Sequence, residues 1–149
     1  MALLPRKGIL AIAAVIDVAL HARGGPVSAR ALAARHGLPP RHLEPVLQAL
    51  VREGILRGVR GPHGGYEMAR EHRQVTVEQI LRAAGTADES KETPISTSPL
   101  VGQIVQPAIA EAEKAFSAAL ARINVDDMAH DAERLVKKGG GGSAFNYAL

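Results

Sequence analysis

Residues 59–68 read V-R-G-P-H-G-G-Y-E-M. Glycine and proline crowd the middle of this stretch, where a hairpin tip needs backbone angles that most residues resist. Apolar runs suited to strands flank it, 54–56 before and 66–69 after. Arg57 and Arg60 add cations, His63 sits at the tip, and Gly61, Gly64 and Gly65 let a backbone approach another molecule closely. Taken alone, such a segment is equally an ordinary surface hairpin. Its neighbours decide the matter, because a glycine-tipped basic hairpin directly after a helix-turn-helix is the wing of a winged DNA-binding domain.

Upstream, Ser28 is placed to cap a helix over 29–36, with Gly37 supplying a left-handed stop. A tight turn through Leu38 and Pro39 leads to a helix over 40–52, whose inner face is Leu43, Val46, Leu47 and Leu50. A first helix over 5–21 ends at Gly24-Gly25, with Ile9, Ile12, Ala13, Ile16, Ala19 and Leu20 on one face. That segment loosely mimics a signal peptide, but Asp17 and His21 interrupt it. Its apolar run is also about half of what a membrane-spanning helix needs, so a buried helix is expected.

Downstream, Thr76 and Gln79 form a capping box for a helix to about residue 84. A polar loop follows, and Ser98-Pro99 opens a long helix to about residue 123. Leu100, Ile104, Ala108, Ala112, Phe116, Ala119 and Ile123 line one stripe of it. The chain offers that stripe no partner of matching size, and such a helix most often packs against its own copy in a dimer. Pro107 should kink it by removing the bond to the Gln103 carbonyl. Asn124 can cap a last helix over 125–136, and four glycines make the tail flexible, with Phe145 and Tyr147 able to dock. The expected organisation is a DNA-binding unit over 1–85, a loop over 86–99, dimerisation helices over 100–136 and a tail over 137–149. The fold class is mainly α with a small β-hairpin wing.

Charge supports a polyanion partner for the first part. Residues 1–85 carry 12 Lys/Arg against 6 Asp/Glu, whereas 86–149 carry 6 against 9. Aromatic residues are only 3%, so Ala, Leu, Ile and Val must make the core. Cysteine is absent, which excludes disulfides, cysteine nucleophiles, thiolate zinc sites and ordinary iron–sulfur ligation. His21, His36, His42, His63, His72 and His130 show no H-x-x-x-H or H-E-x-x-H spacing. The glycine loop lacks the G-K-[ST] ending of a phosphate cradle. No enzyme, metal site or cofactor is expected.

The helix over 40–52 is the expected recognition helix, with Arg41, His42, Glu44 and Gln48 facing outward. Arg41 suits guanine or phosphate, and Gln48 adenine or phosphate. Glu44 can accept from cytosine N4, or is simply a surface charge near a helix N-terminus. His42 is better suited to partial packing against the preceding helix. Pro45 lacks the donor for the Arg41 carbonyl, which leaves the first turn's geometry open. Arg6, Lys7, Ser28 and Arg30 are phosphate candidates, Arg60 a minor-groove candidate, and Tyr66 a packing anchor for the wing.

The runs P-V-S-A-R-A-L-A (26–33), G-L-P-P-R-H-L-E-P-V-L-Q-A-L (37–50), R-G-P-H-G-G-Y (60–66) and V-T-V-E-Q-I-L-R-A (75–83) closely resemble the Rrf2 family of bacterial winged-helix regulators, which includes IscR, NsrR and CymR. Resemblance extends more weakly through S-P-L-V-G (98–102) and E-A-E-K-A-F (111–116). It implies a homodimer with crossed long helices on a roughly palindromic operator, Glu44 matching the family's recognition glutamate and Arg60 its wing arginine. Many members hold an iron–sulfur cluster on three cysteines before the dimer helix; here Thr93, Ser96, Thr97 and Ser98 occupy that region. Pro39 stands where members often have a serine cap.

The function expected is thus a cytoplasmic, sequence-specific DNA-binding regulator, a repressor in the leading version. It would act as a homodimer on double-stranded DNA, without a membrane partner. Its input would be a small molecule, a protein or nothing. The alternative is a winged-helix module that docks on protein, for which a weak salt dependence of binding would speak.

Overall fold

The computed structural model describes residues 6–85 and 98–138. Its elements are α1 (Arg6–Leu20), α2 (Ala29–Arg35), α3 (Pro40–Arg52), β1 (Leu56–Val59), β2 (Gly65–Met68), α4 (Val77–Gly85), α5 (Gln106–Leu120) and α6 (Val125–Lys138). The mainly α fold with one two-stranded hairpin is the class expected. Residue 5, most of the loop over 86–99 and the tail from 139 lie outside the described residues, as do Phe145 and Tyr147.

Local chemistry sets most element ends. Ser28 approaches in an extended conformation and its hydroxyl accepts the Ala31 amide at 3.1 Å, so α2 starts at Ala29. Gly37 takes φ 62° after α2, a conformation costly to side chains with a Cβ. Pro40 occupies the first turn of α3, where its missing N–H costs nothing. The Thr76 amide donates to Gln79 Oε1 and the Gln79 amide to Thr76 Oγ1, both at 3.2 Å. The Asn124 side chain accepts the Asp127 amide at 2.8 Å at the start of α6. That helix runs to Lys138, two residues past the end expected at 136.

The core is aliphatic, with Val15, Val18, Leu32, Leu43, Leu47, Leu50, Ile55, Leu56, Ile80 and Val125 all fully buried. It does not stop at residue 85. Val125 and Ala129 of α6 join it, and two backbone bonds of 2.8 Å, Val77 to the Ile123 carbonyl and Val125 to the Val75 carbonyl, stitch α6 to the start of α4.

Helix α1 turns a different face inward from the one its periodicity suggested. Ala11, Ala14, Val15 and Val18 are buried; of the face expected, Ala19 is buried too, Ile12, Ile16 and Leu20 are half-buried against the core's edge, Ala13 is half-buried and Ile9 is 52% exposed. The helix is apolar nearly all round, so a period of 3.6 cannot say which side meets the core.

Pro107 is accommodated by a change of helix type. A π stretch, Val101–Val105, precedes α5, and the Gln106 amide reaches back five residues to the Val101 carbonyl. The wider turn sits where Pro107 withholds a donor. It also shifts the side-chain register, so a stripe drawn at constant period from Leu100 to Ile123 does not stay on one face.

Candidate nucleic-acid interface

The hairpin pairs Leu56 with Met68, Arg57 with Glu67, Gly58 with Tyr66 and Val59 with Gly65. Its strands occupy 56–59 and 65–68, so the first starts two residues later and ends three later than the 54–56 expected, and the second lies one residue earlier than 66–69. A third strand-like contact holds its base. The Val27 amide donates to the Tyr66 carbonyl at 2.9 Å, and the Tyr66 amide donates to the Val27 carbonyl at 2.8 Å. The wing is therefore fastened to the residue just before the Ser28 cap. Tyr66 itself packs against the edge of the core.

Two wing glycines serve this internal fastening. A Cβ on Gly65 would sit 2.4 Å from the Val27 carbonyl oxygen, and one on Gly64 would sit 2.1 Å from the Val59 carbonyl oxygen. Sequence suggested that these glycines open the backbone to another molecule; the close approach they permit is to their own chain. Gly61 differs: it is exposed at the tip with φ 119° and open space around it.

The wing cations also divide. Arg57 donates through Nε to Glu67 Oε1 at 2.8 Å, with Nη2 at 2.6 Å from the same oxygen, so its charge is matched across the strand pair. Arg60 is exposed and has no acidic partner among the described residues. Pro62, His63 and Gly64 meet Ser28 and Arg35 along a cleft of about 660 Å³.

Along α3, Arg41, His42, Glu44, Pro45 and Gln48 are exposed on one side, and Leu43, Val46, Leu47 and Leu50 are buried on the other. His42 does not pack against α2 as anticipated; its side chain stands in solvent. The helix continues through Pro45, and the Arg41 carbonyl lacks only its ordinary donor. Arg30 is exposed in the first turn of α2, and the Ser28 oxygen is already an acceptor for the helix. Arg6 and Lys7 are exposed in the first turn of α1, roughly 20 Å along that helix from the end where Ser28 and the wing meet. The structure does not bring these two together with Ser28.

Sequence reasoning missed the polar hub beneath this surface. Asp17, 2% exposed, takes Arg35 Nε at 2.9 Å on Oδ2 and Nη2 at 2.6 Å on Oδ1. His36 Nε2 lies 3.2 Å from Oδ2 and His21 Nδ1 3.1 Å from Oδ1. Burial alone pushes the Asp17 carboxyl up, but hydrogen bonds from His36 and Arg35, with the charges of Arg35 and His21, outweigh it and hold it below its ordinary value. The one signal available beforehand was an aspartate interrupting an apolar helix.

Among the described residues, little covers the expected dimer stripe. No residue of α5 is buried; Leu100 is 65% and Ile104 64% exposed, and Phe116 is half-buried. Ala108, Ala112, Ala119 and Ile123 are exposed too, as are Val105 and Ile109, which the constant-period stripe had left out. Among the described residues no three His, Asp or Glu side chains gather as metal ligands, and no helix is long and apolar enough to cross a membrane.

Residues 4–131 match the family model of Rrf2, described as "Iron-dependent Transcriptional regulator". The HTH-type transcriptional regulator IscR of Xenorhabdus nematophila is 37% identical over 87 residues, 58% of this chain and 51% of that protein. The chain spans about half the length of the curated relatives it matches. The solved structure of T. potens IscR is similar over 98% of this chain and 96% of its own, at 29% identity and a TM-score of 0.70. CymR, the global cysteine regulator of B. subtilis, shares the fold at 23% identity and a TM-score of 0.65, over 87% of this chain and 98% of its own.

Proposed function

The chain belongs to the Rrf2 family of transcriptional regulators, a family of regulators and not of enzymes, and from that premise we propose that it is a DNA-binding repressor. It acts as a cytoplasmic homodimer on a palindromic operator. The observation that carries this is the solvent face of α3, where Arg41, Glu44 and Gln48 stand clear beside a wing whose tip presents Arg60 without an acidic partner among the described residues. Helix α3 enters the major groove, where Arg41 and Gln48 donate to base edges or phosphates and Glu44 accepts from cytosine N4. Arg60 lies in the adjacent minor groove, and Arg30 with Ser28 holds phosphates. Two copies joined through α5 put two such units on one side of a duplex, so the preferred site is an inverted repeat with half-sites about one helical turn apart, or a multiple of it.

An iron–sulfur cluster held by thiolates does not fit this chain. It has no cysteine at any position, and neither hydroxyls nor histidines replace three thiolates. The regulatory input is therefore a small molecule or a protein, or the repressor has none.

Selection of bound duplexes from random DNA, run at two salt concentrations, tests the proposal. The expected outcome is an enriched inverted repeat whose affinity falls steeply with salt, because phosphate contacts release counterions. A pool that stays random at both salt concentrations would overturn DNA reading and favour docking on protein.

A further inference from the structure

We propose that an apolar groove between α1 and α6 seats residues 100–109 of a second copy of the chain, so that each subunit of a dimer fills the other's groove. The inference rests on the homodimer reading and adds to it where the second copy lies.

The groove is built by the outward face of α1. Ile9, Ile12 and Ile16 form one wall, and Met128, Ala132 and Leu135 of α6 form the other, around a space of about 360 Å³. The lining is apolar apart from the Asp17–His36 contact at its floor. A helix apolar on nearly every side is ordinarily covered on every side. Yet at the groove's mouth Ile9 is 52% and Leu135 66% exposed.

A second exposed apolar surface among the described residues supplies the occupant. Leu100, Ile104, Val105 and Ile109 are all exposed. Their spacing keeps them on one stripe through the π stretch, whose turn is wider than that of an α-helix. Residues 98–110, S-P-L-V-G-Q-I-V-Q-P-A-I-A, contain no charged side chain, and the charges of this helical segment begin at Glu111. The walls of the groove carry no charge either, so the two surfaces match in chemistry. They match in length as well. From Leu100 to Ile109 the helix rises roughly 14 Å, and the α6 wall from Met128 to Leu135 is roughly 10 Å long. Within one chain the two do not meet, since none of residues 100–109 lines the groove.

A crossing of α5 with its own copy leaves that stripe unused. Ala108, Ala112, Ala115 and Ala119 recur at α spacing and are exposed, and small side chains let two helices cross closely. One face of a 15-residue helix falls short of the roughly 20–30 residues a side found in stable interfaces. A two-fold dimer makes each contact twice, so reciprocal seating in the two grooves adds what the crossing lacks. The seated helix also shuts water away from the Asp17–His36 contact, which ties the end of α2 to α1.

Photocrosslinking in the full-length protein tests the seat. With p-benzoylphenylalanine placed at position 104, irradiation should give an adduct of two chains that maps to peptides bearing Ile12 or Met128. Two-chain adducts confined to the partner's α5 would overturn the seat and leave the dimer standing. Single-chain adducts, or none, would overturn the seat as well. A wild type that sediments as a monomer would sink the dimer reading itself, and the seat with it. As a second measurement, Leu135→Lys should weaken the dimer at least about tenfold, because seating would bury an unpaired charge. Its circular dichroism should match the wild type's, since Leu135 is open to solvent in the single chain. Dimerisation as tight as that of the wild type would contradict the proposal.

Discussion

Arg35 on α2 grips Asp17 on α1 with both faces of the ion pair engaged, Nε on Oδ2 and Nη2 on Oδ1. Because the carboxylate is buried and the guanidinium only partly exposed, the contact joins the first helix of the helix-turn-helix to the helix beneath it by charge as well as by packing. His36, the residue that caps α2, meets the same carboxylate. The orientation of α2, and of the α3 that follows it across a four-residue connection, is thereby referred to α1.

Asp17→Asn should destabilise the protein by about 2–4 kcal/mol at neutral pH, since breaking a buried pair leaves its partners unmatched. The pH dependence has a definite sign. A carboxyl held below its ordinary value contributes stability that is complete above that value, near 3.8. It is lost as pH falls through the folded-state value. Urea unfolding at pH 7 and in strong acid should therefore show the wild-type advantage over the variant shrinking in acid. An advantage that grows in acid would refute the assignment.

Gly65→Ala should loosen the wing, because its Cβ would fall 2.4 Å from the Val27 carbonyl oxygen. A loss of about 2–3 kcal/mol is expected from the forced backbone shift. Gly58→Ala is the control: it meets nothing within 4 Å and should change stability by no more than about 0.5 kcal/mol. Thermal unfolding of both variants, and exchange protection of the Val27 and Tyr66 amides, measure the difference.

Arg60→Ala should weaken operator binding by about 1–3 kcal/mol, more on A·T-rich flanks than elsewhere. The double change Arg57→Ala with Glu67→Ala removes a charge pair that is already matched across the strands, and should cost no more than about 0.5 kcal/mol. Titrations on one duplex rank the two; equal losses would mean that Arg57 leaves Glu67 for DNA.

Glu44→Ala should relax base preference at one position of each half-site more than it changes affinity, because a carboxylate among phosphates contributes by discrimination. Site selection with wild type and variant reads this directly. An unchanged preference would leave Glu44 as a surface charge near a helix N-terminus.

Leu100→Asp with Ile104→Asp should yield monomers in sedimentation without loss of helical content, since both side chains are more than three-fifths exposed in the single chain. Dimers that persist would move the interface off the helical segment that leads into α5.

Sequence by itself determined most of what local chemistry controls. The Ser28 and Asn124 caps, the Thr76–Gln79 box, the Gly37 stop and the bounds of α3 were legible because each depends on residues within one turn of another. So were the presence of the hairpin, from the glycines and proline at its tip, and the outward face of α3, from its helical period of apolar residues. Only the tertiary structure decided which side of α1 faces the core, because an all-round apolar helix carries no orienting signal. It alone revealed that Gly64 and Gly65 yield to their own chain, that Arg57 is matched while Arg60 has no acidic partner among the described residues, and that Asp17 gathers groups from positions 21, 35 and 36. Those facts rest on contacts between segments far apart in the chain, or across a turn whose exact path no local rule sets. They exist only once burial has fixed how the helices lie against one another.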